Sequence, residues 1–177
     1  MEEKKKENCI SRRKFISRTA TVAAGISIVP RHVLGGVGYK APSDRLNIAG
    51  IGVGGMGRAN LRQMAGENIV ALCDVDWKYA QRAFNDYPQA KKFKDYRKML
   101  EEMGDDIDGV VIATPDHTHA VTAAQSMQMG KHVYLQKPLT HSIYESRYLT
   151  KLAKETGVAT QMGNQGHSGE GTRLFAE

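Results

Sequence analysis

The sequence has few cysteines and lacks an apolar segment long enough to cross a membrane. Its two cysteines, Cys9 and Cys73, form no Cys-x-x-Cys pair, which excludes a zinc ribbon and a redox dithiol. An apolar run at residues 19–29, TATVAAGISIV, has 11 residues, whereas a spanning helix needs about 20. No stable membrane insertion is therefore expected, and Cys73 is interpreted as a packed core thiol.

Basic charge is scarce outside the N-terminal segment. The net charge is +6, but residues 1–36 contain eight Lys or Arg and three Glu, which leaves 17 basic and 16 acidic residues in residues 37–177. A nearly neutral body argues against binding to nucleic acid, which attracts a basic surface.

The N-terminal segment is typical of an export leader. A charged stretch at residues 2–18 precedes the apolar run, and its core at residues 11–16, SRRKFI, resembles a twin-arginine export signal. We expect an export leader and its flank at residues 1–36 and a linker at residues 37–45. The protein would then be periplasmic or exported through the twin-arginine machinery. The alternative is an uncleaved basic arm on a cytoplasmic protein.

The segment LNIAGIGVGGMGRANL, residues 46–61, combines an apolar run, a glycine cluster and the start of a helical pattern. Gly52, Gly54 and Gly57 stand at the G-x-G-x-x-G spacing of a dinucleotide-binding turn. The first glycine permits the tight bend, the second lets the backbone approach a diphosphate, and the third lets helix and strand pack closely. We predict that a dinucleotide binds along this turn, at Gly52, Val53, Gly54, Gly55, Met56 and Gly57.

An acidic residue follows the next predicted strand at the distance that a ribose ligand requires. Apolar residues 69–73 end at Asp74, 22 positions after Gly52. Asp74 is predicted to bind the ribose hydroxyls, although it or Asp76 could instead cap the following helix. A carboxylate here favours NAD over NADP because it repels a 2′-phosphate, whereas nearby Lys78 and Arg82 weaken that preference.

Strand and helix patterns alternate from residue 46 to residue 163. Fully apolar segments such as residues 110–113 are typical of strands buried on both faces of a parallel sheet. Predicted helices lie between the strands, for example from Trp77 to about Asn85 and from about Ala120 to Met129. The order βαβαβαβαβαβ predicts an α/β fold with a doubly wound parallel sheet, whose ligands lie at its carboxyl edge. Residues 164–177 are expected to begin the connection to a further domain.

Two more motifs follow predicted strands, ATPDHTH at residues 113–119 and QKPL at residues 136–139. With the glycine turn, they make residues 46–177 resemble the Gfo/Idh/MocA family of NAD(P)-dependent sugar oxidoreductases, which carry G-x-G-x-x-G, T-P-x-x-x-H and E-K-P at these positions. The resemblance implies a Rossmann domain here. It also implies a second α/β domain, which supplies further catalytic residues and begins about where this chain ends.

The resemblance implies roles for individual residues. Asp74 would hold the adenosine ribose, Thr114 and Pro115 would line the cofactor cleft, and Lys137 and Pro138 would lie at the nicotinamide and the sugar. The loops after the fourth and fifth strands add further predicted cofactor-binding residues, namely Asp116, His117, His119 and Gln136. Gln165 is predicted as another, because it lies just past the last strand at the ligand edge of the sheet. Around Gln165, a glycine-rich hinge explains the sequence almost as well.

Lys137 is the predicted catalytic residue of this chain. A lysine at a dry site can orient or share the proton of a sugar hydroxyl. Without the resemblance, a surface lysine on a turn fixed by Pro138 would be the simpler interpretation. Where the family most often has Glu, this chain has Gln136, which can hydrogen-bond but adds no charge. That difference leaves the acid–base role of Lys137 open.

The D-H-T-H sequence at residues 116–119 is not predicted to bind a metal. Two imidazoles two positions apart bind zinc only where the turn splays them correctly, and no third ligand cluster is evident. We interpret the segment as a loop that lines the cofactor cleft.

The resemblance implies an NAD-dependent oxidoreductase that acts on CH–OH groups of a sugar or sugar derivative, and the fragment alone is expected to be inactive. One alternative is a glycosidase that keeps NAD bound and recycles it through oxidation, elimination, hydration and reduction. A second alternative is a non-catalytic dinucleotide-binding protein. The expected partners are a small-molecule sugar substrate, the export machinery and other copies of the full-length chain in a homo-oligomer.

Overall fold

The computed structural model describes residues 44–176, in which six strands alternate with helices. The strands are β1 (Asn47–Ile51), β2 (Asn68–Cys73), β3 (Lys91–Phe93), β4 (Gly109–Ile112), β5 (His132–Leu135) and β6 (Thr160–Met162). The helices are α1 (Gly55–Gln63), α2 (Trp77–Asp86), α3 (Tyr96–Met103), α4 (Asp116–Gln128), α5 (Ile143–Thr156), α6 (Gln165–Ser168) and α7 (Glu170–Ala176). The predicted leader and nearly all of the predicted linker lie outside the described residues.

All six strands form one parallel sheet in the order β3-β2-β1-β4-β5-β6. The order reverses between β1 and β4, which is the point where doubly wound sheets bind ligands at their carboxyl edge. The predicted doubly wound parallel sheet is confirmed, and the glycine turn lies directly at this reversal.

Apolar side chains cover the sheet on both faces. On one face, Leu61 of α1 and Phe84 of α2 pack in one cluster with Ile48 of β1. On the other face, a larger cluster joins α3, α4 and α5 to the strands, with Leu100 and Leu149 among its members. Burial on both faces explains why the central strands read as continuous apolar runs rather than as alternating patterns.

Polar side chains cap the starts of three helices, and a glycine ends one of them. Ser142 and Glu145 form a capping box at the start of α5, and Gly157 ends the helix with a φ of 70°. Asp76 caps α2 and Asp95 caps α3, each by accepting a backbone N–H. Local capping residues therefore fix the starts of α2, α3 and α5 and the end of α5.

Helix α4 begins at Asp116, four residues before the predicted start at Ala120. The predicted start was wrong because it was placed at the first apolar residue of the pattern. Polar residues form the first turn of α4. Polar side chains inside the helix bond to the carbonyl oxygens one turn earlier, as Thr122 does to Thr118 and Ser126 does to Thr122. Buried polar groups with such partners do not interrupt a helix.

The chain after β6 forms two further helices. Helix α7 begins at Glu170, and the short helix α6, which was not predicted, makes Gln165 a helical residue. Among the described helices, none combines the length and the apolar composition that a membrane crossing requires.

Candidate functional site

The glycine turn, residues 52–57, joins β1 to α1 and requires glycine at two positions. Gly52 has a φ of +75°, and a Cβ there would lie 2.8 Å from backbone atoms of Ala113 and Thr114. A Cβ on Gly57 would collide with the carbonyl oxygen of Gly52. The lack of side chains lets the turn bend tightly and lets α1 start close to the end of β1.

The carboxylate of Asp74 holds the glycine turn from the neighbouring strand. Its Oδ2 accepts hydrogen bonds from the backbone N–H groups of Val53 and Gly54, at 2.9 and 3.1 Å. Its Oδ1 accepts the N–H of Asp76 at 2.9 Å, while Asp76 itself caps α2 through a 3.0 Å bond from the N–H of Tyr79. The two acids therefore have separate roles. A carboxylate has about four acceptor positions, so Asp74 keeps capacity for a ribose hydroxyl.

A mostly apolar cleft of about 590 Å³ opens beside the glycine turn at the carboxyl edge of the sheet. The residues that line it include six that the sequence predicted, Gly52, Gly54, Asp74, Thr114, Pro115 and His117. They also include residues that it did not, Val75, Tyr79, Lys94, Tyr96, Arg97 and Thr118. The order of the strands could have identified several of these, because β3 ends beside β2 and delivers residues 94–97 to the same edge.

Asp95 and Arg97 form a two-point ion pair on the wall of this cleft. Nε and Nη2 of Arg97 donate to Oδ1 and Oδ2 of Asp95, at 2.9 and 2.8 Å. These hydrogen bonds hold the pKa of the Asp95 carboxyl below its ordinary value and raise the pKa of Arg97. Arg97 therefore lines the cleft as a cation whose charge is balanced by the carboxylate of Asp95.

Cys73 lies at the inner end of the cleft as a free, buried thiol. Burial raises its pKa to about 12, and the negative charges of Asp74 and Asp95 act in the same direction. A thiol with this pKa stays protonated at neutral pH and is a poor nucleophile. The interpretation of Cys73 as a core thiol is confirmed.

The structure places His119 beneath the cleft rather than on its wall. The side chain is 1% exposed, with Nδ1 2.7 Å from the carbonyl oxygen of Pro138 and Nε2 2.8 Å from that of Thr114. With both ring nitrogens against carbonyl oxygens, the imidazole ties the loop after β4 to the loop after β5. His119 therefore supports the predicted site from below instead of facing a ligand.

Asp116 and His117 are exposed in the first turn of α4. They line a second cavity, of about 570 Å³, together with Pro138, Thr140 and His141. His117 belongs to both cavities, so the first turn of α4 separates two openings at the same edge. Within residues 44–176, no three His, Cys, Asp or Glu side chains group closely enough to hold a metal ion.

The Q-K-P segment follows β5 and places its three side chains in different surroundings. Gln136 is 4% exposed, and its Oε1 accepts the backbone N–H of Lys137 at 3.1 Å. Lys137 and Pro138 are exposed and are joined by a cis peptide bond. The predicted catalytic lysine therefore lies at the surface, directly beside a buried neutral amide.

A polar cluster lies between α1 and the ends of β5 and β6. Nε2 of Gln165 donates to Oδ1 of Asn60 at 3.3 Å and to the hydroxyl of Tyr134 at 3.5 Å. A Cβ on Gly163 would lie 2.7 Å from the Tyr134 hydroxyl and 3.0 Å from Nε2 of Gln136. The predicted residues Gln136 and Gln165 thus both lie near the Tyr134 hydroxyl. It adds Asn60 and Tyr134, which carry no sequence motif.

Three buried polar atoms lack a hydrogen-bond partner within the described chain, namely Nδ2 of Asn60, Oγ1 of Thr114 and Nε2 of Gln136. Buried polar atoms nearly always have a partner, so such atoms indicate a polar ligand or a water. Two of them belong to the loops that follow β4 and β5. Together with the glycine turn and the free capacity of Asp74, they fit a dinucleotide, which offers phosphate, ribose and amide groups.

The sheet, the glycine turn and the acid after β2 define a dinucleotide-binding Rossmann domain. The chain belongs to the Gfo/Idh/MocA family, described as "Oxidoreductase family, NAD-binding Rossmann fold", whose profile matches residues 46–164. The predicted family is confirmed, and so is the prediction that this domain binds NAD.

Curated relatives include proteins with two kinds of activity. The chain is 30% identical over 174 residues to a glycosyl hydrolase family 109 protein of Shewanella sp. (strain W3-18-1), an alignment that covers 83% of this chain and 38% of that protein. It is 30% identical over 123 residues to scyllo-inositol 2-dehydrogenase (NAD(+)) of Bacillus subtilis (strain 168), covering 67% of this chain and 35% of that protein. The chain thus spans well under half the length of these relatives.

Solved structures share the fold. GenD2 from gentamicin A biosynthesis, in complex with NAD, has a TM-score of 0.63 and 28% identity, over 77% of this chain and 37% of that one. Myo-inositol 2-dehydrogenase from Lactobacillus plantarum has a TM-score of 0.66 and 24% identity, over 73% of this chain and 39% of that one. The described residues therefore correspond to one part of these longer proteins.

Proposed function

We propose that the full-length protein is an NAD-dependent oxidoreductase that acts on a CH–OH group of a sugar or sugar derivative. The observation that carries the proposal is the arrangement at the carboxyl edge of the sheet. There, a glycine turn held by Asp74 adjoins a cleft, and the nearby loop after β5 exposes Lys137. Relatives whose names specify inositol dehydrogenases support a polyhydroxylated ring as the substrate class.

In this proposal Lys137 handles the proton of the substrate hydroxyl. NAD, when bound, supplies the acceptor for the hydride that leaves the CH–OH carbon. As the neutral amine, the side-chain nitrogen of Lys137 would hydrogen-bond the hydroxyl and accept its proton as the carbonyl forms, which leaves an ammonium group. Gln136 fixes the start of the loop through the N–H of Lys137, and His119 holds Pro138 from below.

The same geometry favours NAD over NADP. Asp74 places a carboxylate next to the glycine turn, where it would repel a 2′-phosphate. Arg97, a cation on the wall of the cleft, is bonded at two points to Asp95. The charge of Asp95 offsets that of the guanidinium group and so weakens its attraction for a 2′-phosphate.

The test uses the full-length protein, purified without added nucleotide. Small molecules released on denaturation are identified by mass spectrometry, and the protein is assayed for NADH formation with inositols and sugars. We expect bound or reversibly binding NAD and substrate-dependent NADH. Lys137→Met should lower kcat by at least about 100-fold while NAD still binds. Lys154→Met, on an exposed position of α5, is the matched control and should leave both unchanged. A protein without affinity for any dinucleotide would overturn the proposal.

The assay also separates this proposal from glycosidase chemistry. Relatives at 30% identity are named as glycosyl hydrolases, so glycosides belong in the substrate panel. Cleavage of a glycoside without net NADH, by protein that retains stoichiometric NAD, would replace the oxidoreductase proposal with an NAD-recycling glycosidase.

We also propose that the protein is exported by the twin-arginine route. The proposal is supported by SRRKFI at residues 11–16 and by the apolar run at residues 19–29. Residues 1–45 fused to a reporter should direct it out of the cytoplasm, and a double Arg12→Lys, Arg13→Lys variant should retain it. Equal localisation of the two fusions would contradict the proposal.

A further inference from the structure

The ring of Tyr79 lies directly over the glycine turn. Tyr79 belongs to the first turn of α2, where its backbone N–H donates to Oδ1 of Asp76 at 3.0 Å. A Cβ built on Gly54 would overlap ring carbons Cδ1 and Cε1, and a Cβ on Gly55 would collide with the phenol oxygen. The ring therefore fills the space that these two glycines leave open.

A bound dinucleotide needs that same space. The second glycine of G-x-G-x-x-G lets the backbone approach the diphosphate, and the first N–H groups of α1 favour an anion. In this chain the second glycine is Gly54, and an uncharged aromatic ring already packs against it. The ring and a diphosphate cannot both lie against Gly54.

The ring of Tyr79 is free to move without disturbing the fold. Its side chain is 65% exposed, although it also lines the cleft. The bond from its N–H to Asp76 fixes the backbone and not the side chain. Rotation between staggered side-chain conformations therefore suffices to uncover the turn.

We propose that Tyr79 is a displaceable cover of the diphosphate site, whose ring must rotate away from Gly54 and Gly55 before a dinucleotide binds. The inference rests on the proposed use of NAD as the ligand. A cover of this kind reduces the fraction of binding-competent molecules, and apparent affinity falls in proportion. A ring displaced in about one molecule in ten weakens binding about tenfold.

The first experiment measures ligand association with the full-length protein, freed of nucleotide, by stopped-flow fluorescence. The ligands are NADH, ADP-ribose in competition with it, and adenosine, which lacks the diphosphate. Tyr79→Ala should speed the association of NADH and ADP-ribose about tenfold. It should leave adenosine binding unchanged. Tyr79→Phe keeps the ring and should resemble the wild type, and Tyr144→Ala, at an exposed tyrosine of α5, is the control.

The outcomes distinguish this inference from the cofactor assignment. Equal or slower association with Tyr79→Ala, or an equal gain for adenosine, would overturn the cover while the use of NAD stands. Failure of both wild type and variant to bind any dinucleotide would overturn both.

A second experiment tests the contact itself and needs no ligand. Gly54→Ala should lower the melting temperature of the wild type slightly, because the new methyl group displaces the ring and the packing of the ring on the turn is lost. In the Tyr79→Ala background the overlap is gone, so the same substitution should cost much less. Equal losses in the two backgrounds would show that the ring does not rest on Gly54.

Discussion

Nδ1 of His119 lies 2.7 Å from the carbonyl oxygen of Pro138, and this contact joins two loops of the candidate site. The other ring nitrogen lies 2.8 Å from the carbonyl oxygen of Thr114. One buried imidazole thus fixes the spacing between the loop that lines the cleft and the loop that carries Lys137.

Replacement of His119 by Ala should lower the free energy of unfolding by about 2–4 kcal/mol, because it leaves a void and removes the ring that contacts both carbonyl oxygens. It should also reduce kcat more than it reduces NAD affinity, since the displaced loop carries Lys137. Chemical denaturation and steady-state kinetics measure the two effects. His117→Ala, two residues away and exposed, is expected to change stability by less than about 0.5 kcal/mol. Similar stability of the two variants would contradict the role of the ring.

Gly57→Ala should disrupt the glycine turn, because the added methyl group collides with the carbonyl oxygen of Gly52. We expect a loss of about 1–3 kcal/mol in unfolding free energy. NAD binding by calorimetry should weaken at the same time, since the turn must shift. Gly66→Ala is the matched control, because no atom lies within 4 Å of a Cβ at that position. Unchanged binding by Gly57→Ala would show that the turn tolerates a side chain.

Asp95→Asn should shift cofactor preference towards NADP. The substitution removes the charge that balances Arg97, while Asn remains a good helix cap and preserves α3. Without the opposing charge, the guanidinium group of Arg97 can bind a 2′-phosphate. The ratio of NADP affinity to NAD affinity should therefore rise about tenfold, which corresponds to the free energy of one charge-assisted hydrogen bond. Asp86→Asn, which breaks a similar pair with Arg58 away from the cleft, should leave the ratio unchanged.

Cys73 should resist alkylation by iodoacetamide at pH 8 in the folded protein. With a pKa of about 12, only roughly one thiol in ten thousand is ionised at that pH. Unfolding restores an ordinary pKa near 8.5 and should make the residue reactive. Mass spectrometry of peptides separates Cys73 from Cys9. The pKa of the Cys73 thiol is higher in the folded state than in the unfolded state. The free energy of unfolding should therefore fall as the pH rises from about 9 towards 12.

The sequence predicted the parts of the site that have a local cause. The G-x-G-x-x-G spacing and the position of Asp74 follow from rules about turns and strand ends, and the structure places them together. The sequence did not predict that Asp74 accepts hydrogen bonds from the backbone of the turn while it can still bind a ribose hydroxyl. It depends on how two separate strands lie side by side.

Directions of side chains were the hardest to predict. The T-P-x-x-x-H motif drew attention to His119, but its ring points inwards because α4 already begins at Asp116. The ring of Tyr79 reaches the glycine turn from another helix, and no periodicity in the sequence indicates such a contact. Both cases need the relative positions of elements that are far apart in the chain.

The parallel sheet also governs when the site can form during folding. The nearest strand partners, such as Ala71 and Lys91, are 20 positions apart, and β1 meets β4 through Ile48 and Gly109, 61 positions apart. Pairings of this kind close slowly, since a long loop must be ordered first. Gly52 packs against Ala113 and Thr114, so the turn is complete only after β4 has docked. A dinucleotide can therefore bind only after β4 has docked, and its binding stabilises the chain in that folded state.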